Sequence, residues 1–169
     1  MENLRLTQGY AQNPPLDQLR ERSVTFNLTS HKICGFGIYF NVSANSYIVF
    51  ADIIVSAAGT PRNCADSDFV FTPAPVLLLP NLRSEDIILD TIQLSQHIVF
   101  DAATSNLIYA VFQPPYLEVF LNGKRINPVT GLPESFDSQA QITLFYVGAP
   151  GLVKEIYVNN VGQISLLTK

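Results

Sequence analysis

His31 and Cys34 have the side chains best suited to nucleophilic or metal chemistry, and they lie three positions apart. A cysteine nucleophile needs a positioned base, and a metal site needs three or four converging ligands. Because successive side chains of a strand point to opposite faces, residues at this spacing do not converge. His97, the other histidine, lies far along the chain. We therefore predict no catalytic residues and no metal site.

Two groups of carboxylates are the next candidates. Asp66 and Asp68 share a loop, and Glu85, Asp86 and Asp90 share a strand-like segment. Paired carboxylates act as acid and base in glycosidases, and calcium takes six to eight oxygen ligands. The loop lacks the further acidic ligands and the glycine of a calcium-binding loop. We interpret both groups as solvated carboxylates.

Tyrosines supply a third candidate surface. Tyr39, Tyr47, Tyr109 and Tyr116 lie within predicted strands or at their ends, where aromatic faces could stack on sugar rings. Sugar platforms usually employ tryptophan, which the chain lacks. The role that we prefer is core or interface packing, with the hydroxyl group bonded to a polar partner. A carbohydrate-binding surface stays open as the alternative.

Short motifs predict no cofactor. Glycosylation sequons begin at Asn27 and Asn41, but both fall in predicted strands, so we interpret them as chance matches. The chain has no nucleophile elbow, P-loop, paired CxxC or HExxH motif. Gly35 and Gly37 fall within a strand, where small residues let another backbone approach closely.

Composition limits the classes of function. The chain has 169 residues, enough for one domain, and 14% of them are charged, against roughly 25% in a typical soluble domain. Uncharged amides and hydroxyls are cheaper to bury than ions, so such a surface suits burial against another protein. The ten basic residues are scattered, which argues against nucleic-acid binding. No apolar run has the length of a membrane span, and the N-terminus lacks the order of a signal peptide.

Strands must position these residues. Residues 33–42 alternate in polarity, so that one face carries Cys34, Phe36, Ile38, Phe40 and Val42, and the other carries Gly35, Gly37, Tyr39 and Asn41. Residues 47–55 form a nearly continuous apolar run, as expected of a strand that is covered on both faces. Further strands are predicted over residues 24–28, 86–94, 97–101, 107–112, 141–147, 152–158 and 163–167. Two short apolar runs flanked by prolines, residues 69–72 and 76–79, are predicted to lie at sheet edges or in crossing loops. Asn122-Gly123 predicts a type I′ hairpin that pairs residues 116–121 with residues 124–129.

These elements predict an all-β fold, a two-sheet antiparallel sandwich. We prefer a single jelly roll to an immunoglobulin-like fold, because the strands are many, proline-rich segments cross between them, and tryptophan is absent. Residues 1–22 are predicted to form a short N-terminal arm, extended at first and then helical over one or two turns from Leu16. A frayed terminus is the alternative. Residues 23–169 are predicted to form the sandwich domain.

The cysteines and the glycine-rich face of residues 33–42 remain to be placed. We predict that Cys34 and Cys64 are two separate thiols, and a disulfide between them stays open. The face with Gly35, Gly37 and Tyr39 needs a cover. We expect a neighbouring subunit, rather than the chain's own loops, to provide it.

Scarce charge, two-sided apolar strands and an arm ahead of a sandwich indicate a non-catalytic structural protein that assembles with itself or with sibling subunits. In broad architecture the chain is similar to single jelly-roll capsid subunits and other virion components of viruses and phages. The segment EVFLNGKRI looks like hairpins of phage structural proteins. The resemblance implies a place in the virion. A lectin-like, carbohydrate-binding sandwich module is the alternative, and a hydrolase on the same scaffold comes third.

Overall fold

The structure is a computed structural model that describes residues 2–23, 26–56, 63–64, 67, 69–72, 76–79, 82–114, 118–126, 133–135 and 137–169. Two helices come first, α1 (Glu2–Gln12) and α2 (Leu16–Arg22). The strands that follow are β1 (His31–Asn41), β2 (Ser46–Ser56), β3 (Val76–Leu79), β4 (Leu82–Gln93), β5 (Ile98–Phe100), β6 (Tyr109–Gln113), β7 (Glu118–Leu121), β8 (Lys124–Ile126), β9 (Pro133–Ser135), β10 (Gln139–Tyr146), β11 (Ala149–Asn159) and β12 (Ile164–Thr168). Strands predominate, which confirms the all-β class.

The strands form two larger antiparallel sheets and one small sheet. Sheet A has the order β3-β4-β2-β1-β6-β7, sheet B has the order β12-β11-β10-β5, and β8 pairs with β9 alone. This arrangement confirms the prediction of a two-sheet sandwich. In sheet A, β6 lies beside β1, although the chain passes through β5 of sheet B between β4 and β6. In sheet B the strands predicted over residues 141–147, 152–158 and 163–167 form an antiparallel meander, β10-β11-β12.

The main hydrophobic core lies between the two sheets. Phe36 and Ile38 of β1 are buried in one cluster with Ile142 of β10 and Ile156 of β11. Side chains two residues apart share a face of a strand, so each strand contributes alternate residues to this core. The predicted inward face of Phe36, Ile38 and Phe40 is thereby confirmed.

The N-terminal segment is helical and packs into this core. Residues 2–12 form α1 rather than the extended chain that we predicted, and α2 occupies the position predicted for the short helix. Leu4 and Ala11 of α1 and Leu19 of α2 are buried in the main cluster, because their spacing places them on the inner faces of the helices. The domain division at residue 22 stays a prediction.

A β-bulge places Cys34 on the face opposite to the predicted one. The pairing of β1 with β2 shifts between Ile33 and Gly35, and the extra residue reverses the direction of the side chains before it. Cys34 therefore leaves the face of Phe36 and joins a second buried cluster on the outer face of sheet A. The members of that cluster are Cys34, Phe50, Ile54, Cys64, Phe69, Phe71, Val111 and Phe120.

The chain itself covers the glycine-rich face of β1. A Cβ atom added to Gly37 would lie 2.5 Å from Cζ of Phe50 and 2.9 Å from Cγ2 of Val111, so the space above this glycine is filled. Phe69 stacks on Phe120 with ring centroids 4.1 Å apart. The cover comes from the described part of residues 63–72, and our expectation of a neighbouring subunit at this face was wrong.

The described part of the predicted strand over residues 24–28 is not a strand and leads into a turn over residues 28–30. The side-chain oxygen of Asn27 accepts hydrogen bonds from the backbone N–H groups of Thr29, at 3.1 Å, and Ser30, at 2.9 Å. Such side-chain bonds to nearby backbone compete with strand pairing. Phe26 keeps its predicted apolar role, since it is buried against His31.

The predicted hairpin at Asn122-Gly123 has the expected turn but different partners. Both residues have positive φ angles, 58° and 101°. However, β7 pairs with β6 and β8 pairs with β9, so the described strands on either side of the turn do not pair with each other. The side-chain oxygen of Asn122 accepts a hydrogen bond from the N–H of Ile108 at 2.6 Å, which ties this corner to the start of β6. The prediction of a two-strand hairpin here was wrong.

Candidate functional site

Cys34 is not a free thiol, because it forms a disulfide with Cys64. The Cα atoms of the two residues are 5.1 Å apart, and both side chains are buried in the outer cluster of sheet A. Our preference for two separate thiols was therefore wrong. Nδ1 of His31 lies 2.8 Å from Oγ of Ser30 and 3.1 Å from the backbone oxygen of Asn27, so this ring is held by the turn before β1.

Asp52 and Asp86 form a carboxylate pair that sequence reasoning missed. They lie directly opposite each other on β2 and β4, and opposite residues of an antiparallel pair share a face. Asp52 accepts a hydrogen bond from the hydroxyl group of Ser67, and Asp86 accepts bonds from the N–H and hydroxyl groups of Thr72. The two carboxylates thus anchor residues 67 and 72 over sheet A. The signal in the sequence was the position of Asp52 as the one charged residue of an apolar run.

The other predicted carboxylates are not gathered at this pair. Asp90 is exposed and lines a cleft of about 330 Å³ between the helices and sheet A, together with Glu21 and Arg22. Glu85 lies next to Asp86 in β4, so its side chain points to the other face of sheet A. Asp66 and Asp68 lie outside the described residues. Among the residues that the structure describes, no three metal-ligating side chains converge.

Tyr39, Tyr47 and Tyr109 are held by contacts within the protein. The ring of Tyr39 lies between Phe71 and Tyr109, with centroids 5.3 Å away on each side and interplanar angles of 17° and 23°. The hydroxyl oxygen of Tyr47 accepts a hydrogen bond from Nδ2 of Asn3 at 2.5 Å, and burial raises the pKa of this tyrosine. Tyr116 lies outside the described residues. Tyr39 therefore presents no open ring face on which a sugar could stack.

A small apolar cavity lies between the sheets beneath α1. Its volume is about 130 Å³, and its lining includes Leu4, Ile38, Phe40, Ile142 and Ile156. The side chains around it belong to the main core. The cavity therefore marks imperfect packing between α1 and the sheets rather than a group of reactive side chains.

Exposed apolar side chains concentrate on sheet B and its turns. Of the nine large hydrophobic residues that are exposed in the described chain, five lie between positions 147 and 167. They are Val147, Leu152, Val161, Leu166 and Leu167. Val147 and Val161 lie in turns, and Leu166 and Leu167 are adjacent in β12 and therefore point to opposite faces of sheet B, so the five residues do not form one patch.

β12 carries two of these exposed residues, Leu166 and Leu167. It lies at the edge of sheet B and reads ISLLT, without a charged residue. Leu166 is 41% exposed and Leu167 is 51% exposed. An edge strand presents unpaired N–H and C=O groups, and proteins usually protect such strands with charge, proline or a bulge. β12 has none of these devices between positions 164 and 168.

The hydrogen-bond pattern shows which backbone groups of β12 are free. Val153 of β11 and Lys169 exchange both backbone bonds, at 2.9 and 3.3 Å. Because bonded and non-bonded pairs alternate along an antiparallel ladder, Leu167 and Ser165 also turn toward β11. Ile164, Leu166 and Thr168 consequently turn their N–H and C=O groups outward, and no bond to these groups is found within the described chain. We call these outward groups the free edge.

Both ends of β12 are fixed by side-chain contacts. At its start, the side-chain oxygen of Asn159 accepts a hydrogen bond from the N–H of Gln163 at 2.9 Å, and Gly162 has a φ of 82°. At its end, Nζ of Lys169 lies 2.7 Å from Oε1 of Glu155. Hydrogen bonds from Lys169 and then from Tyr157 lower the pKa of Glu155, and the bond to Glu155 raises the pKa of Lys169. The free edge is therefore held in an extended shape before any partner binds.

Comparisons with known proteins assign no family to the chain. No protein-family model matches the chain, and no curated protein and no solved structure is detectably similar to it. Neither described helix has the length and apolarity needed to cross a bilayer.

Proposed function

We propose that this chain is a non-catalytic structural protein that assembles with itself or with sibling subunits. The observation that carries the proposal is the free edge of β12, an uncharged strand with two exposed leucines and outward backbone groups. Adding a strand to such an edge satisfies its donors and acceptors and buries its side chains. The surface of the chain has few charges, so little ion desolvation opposes such contacts.

The strand that we propose for assembly belongs to sheet B and not to sheet A. The chain's own residues fill the face above Gly37, so this face does not need a subunit. The N-terminal segment is not a free arm that could bind a neighbouring subunit, because its helices pack into the core. Leu4, Ala11 and Leu19 belong to the core, and deleting residues 1–22 would be expected to destabilise the sandwich itself.

A virion component is the specific role that we propose, and a single jelly roll is the topology that we prefer for it. A jelly roll is built from two antiparallel sheets, and the passage of the chain from β4 through β5 of sheet B to β6 supports this preference. The disulfide between Cys34 and Cys64 fits an oxidising setting, and virion surfaces are one such setting. The carbohydrate-binding alternative loses support from Tyr39, whose two ring faces are covered. Specific binding on a broad glycan array would favour this alternative.

The test is the mass in solution of the native chain and of two lysine variants. Leu166→Lys places a charge on the free edge, whereas Val161→Lys places one in the turn before β12, at a residue that is 69% exposed. Charge at an edge opposes strand addition. We expect multi-chain species for the native chain and for Val161→Lys at micromolar concentration, and a shift toward the single chain for Leu166→Lys. If the native chain sediments as a single chain throughout the micromolar range, the proposed function is refuted.

A further inference from the structure

A second copy of the same strand can satisfy the free edge, because β12 is complementary to itself. We propose that two copies of β12 pair antiparallel about a two-fold axis beside Leu166, an inference that rests on the proposed function. A two-fold interface uses the same patch on both subunits, so each free donor must find an acceptor in the same short segment. β12 meets this condition.

Only one register gives hydrogen-bond partners to the backbone groups of all three outward residues. When the axis passes beside Leu166, this residue pairs with Leu166 of the second copy, and Ile164 pairs with Thr168 of the second copy. These are the residues whose N–H and C=O groups point outward. An axis at Ser165 would leave Thr168 without a partner inside the strand, and an axis at Leu167 would leave Ile164 without one.

The side chains fit the same register. Leu166 lies opposite Ile156 of β11, and its counterpart in the second copy would extend this apolar row across the axis. On the other face, Leu167 would lie opposite Ser165 of the second copy. Lys169 would lie opposite Gln163 of the second copy, so its pairing with Glu155 is kept and no like charges oppose each other. Sheet B would continue from one subunit into the next.

Cysteine cross-linking tests this register directly. Paired residues that exchange backbone bonds have Cα atoms about 5.5 Å apart, within the range that a disulfide bridges. Leu166→Cys should therefore form a covalent dimer under mild oxidation, roughly tenfold faster than Leu167→Cys. The control residue is similarly exposed, but the diagonal distance to its own counterpart is about 7–8 Å, and it lies on the other face. The native cysteines do not compete, since both are in the disulfide.

A second pair of variants tests the register independently, in case Leu166→Cys does not fold. An equimolar mixture of Ile164→Cys and Thr168→Cys chains should cross-link between unlike chains, because these positions are opposite in the proposed register. Faster cross-linking of Leu167→Cys would overturn the register in favour of an axis at Leu167. Absence of all these cross-links in a protein whose native mass exceeds a single chain would overturn the pairing and leave the proposed function standing. A single-chain native mass would refute both.

Discussion

Replacing both cysteines by alanine, in the double variant Cys34→Ala/Cys64→Ala, removes the link that fixes residues 63–64 to the outer face of sheet A. The bridged positions are 30 residues apart. In the chain-entropy description, closing a loop of this length in the unfolded state stabilises the folded state by about 3.5 kcal/mol. With a urea m-value of about 2 kcal/mol/M, the unfolding midpoint should fall by about 1.7 M. Loss of the buried sulfur atoms acts in the same direction.

The assay is urea unfolding followed by tyrosine fluorescence and circular dichroism, with and without a reducing agent. We expect reduction to lower the midpoint of the native chain toward that of the double variant and to leave the double variant unchanged. After unfolding, the chain without substitutions should show no reactive thiols until it is reduced. Two reactive thiols before reduction, or a midpoint shift below about 0.3 M, would refute the reasoning.

Three further predictions concern stability. Gly37→Ala should lower the free energy of unfolding by about 1–3 kcal/mol, because the added methyl group meets filled space, whereas Gly151→Ala, with nothing within 4 Å, should change it by less than about 0.5 kcal/mol. Thr143→Val should keep or raise stability by up to about 1 kcal/mol, since its buried hydroxyl group has no partner among the described residues, whereas Thr7→Val should lower it by about 1 kcal/mol through loss of a 2.7 Å hydrogen bond. Above pH 4.5, Glu155→Gln should have a lower free energy of unfolding than the native chain. This difference should shrink as the pH falls through the lowered pKa of the native carboxyl group.

Each of these predictions has a contrary outcome. Equal effects of the two glycine substitutions would mean that Phe50 and Val111 do not fill the space above β1. A large loss of stability in Thr143→Val would mean that its hydroxyl group has a partner in the folded chain. A difference between the native chain and Glu155→Gln that does not vary with pH would mean that this carboxyl group titrates alike in the folded and unfolded states.

The sequence predicted the parts of the fold that hydrophobic alternation controls. The strands β1 and β2 and the last three strands, β10, β11 and β12, follow from the apolar patterns of their residues and from the turn residues between them. The helix α1 was not predicted, because Leu4, Thr7 and Ala11 make a weak apolar stripe whose burial depends on contacts with distant strands.

Single-residue features account for the other misses. The bulge at Cys34 changes the register by one residue, and no local pattern marks it. Its consequence is large, since Cys34 moves to the face where Cys64 lies. Asn122-Gly123 formed its turn, but the choice of strand partners depends on β6 and β9, which are distant in sequence. The free edge of β12 could not be predicted either, because strand order is a property of the whole sheet.

Hydrogen exchange along β12 tests most directly whether the chain assembles through its free edge. The backbone N–H groups of Ser165 and Leu167 face β11 and should exchange slowly at every protein concentration. Those of Ile164, Leu166 and Thr168 face outward and should become protected only as the concentration rises and the second strand binds. If these three groups exchange rapidly at all concentrations, including those at which the protein is multi-chain, the account of assembly through β12 is contradicted.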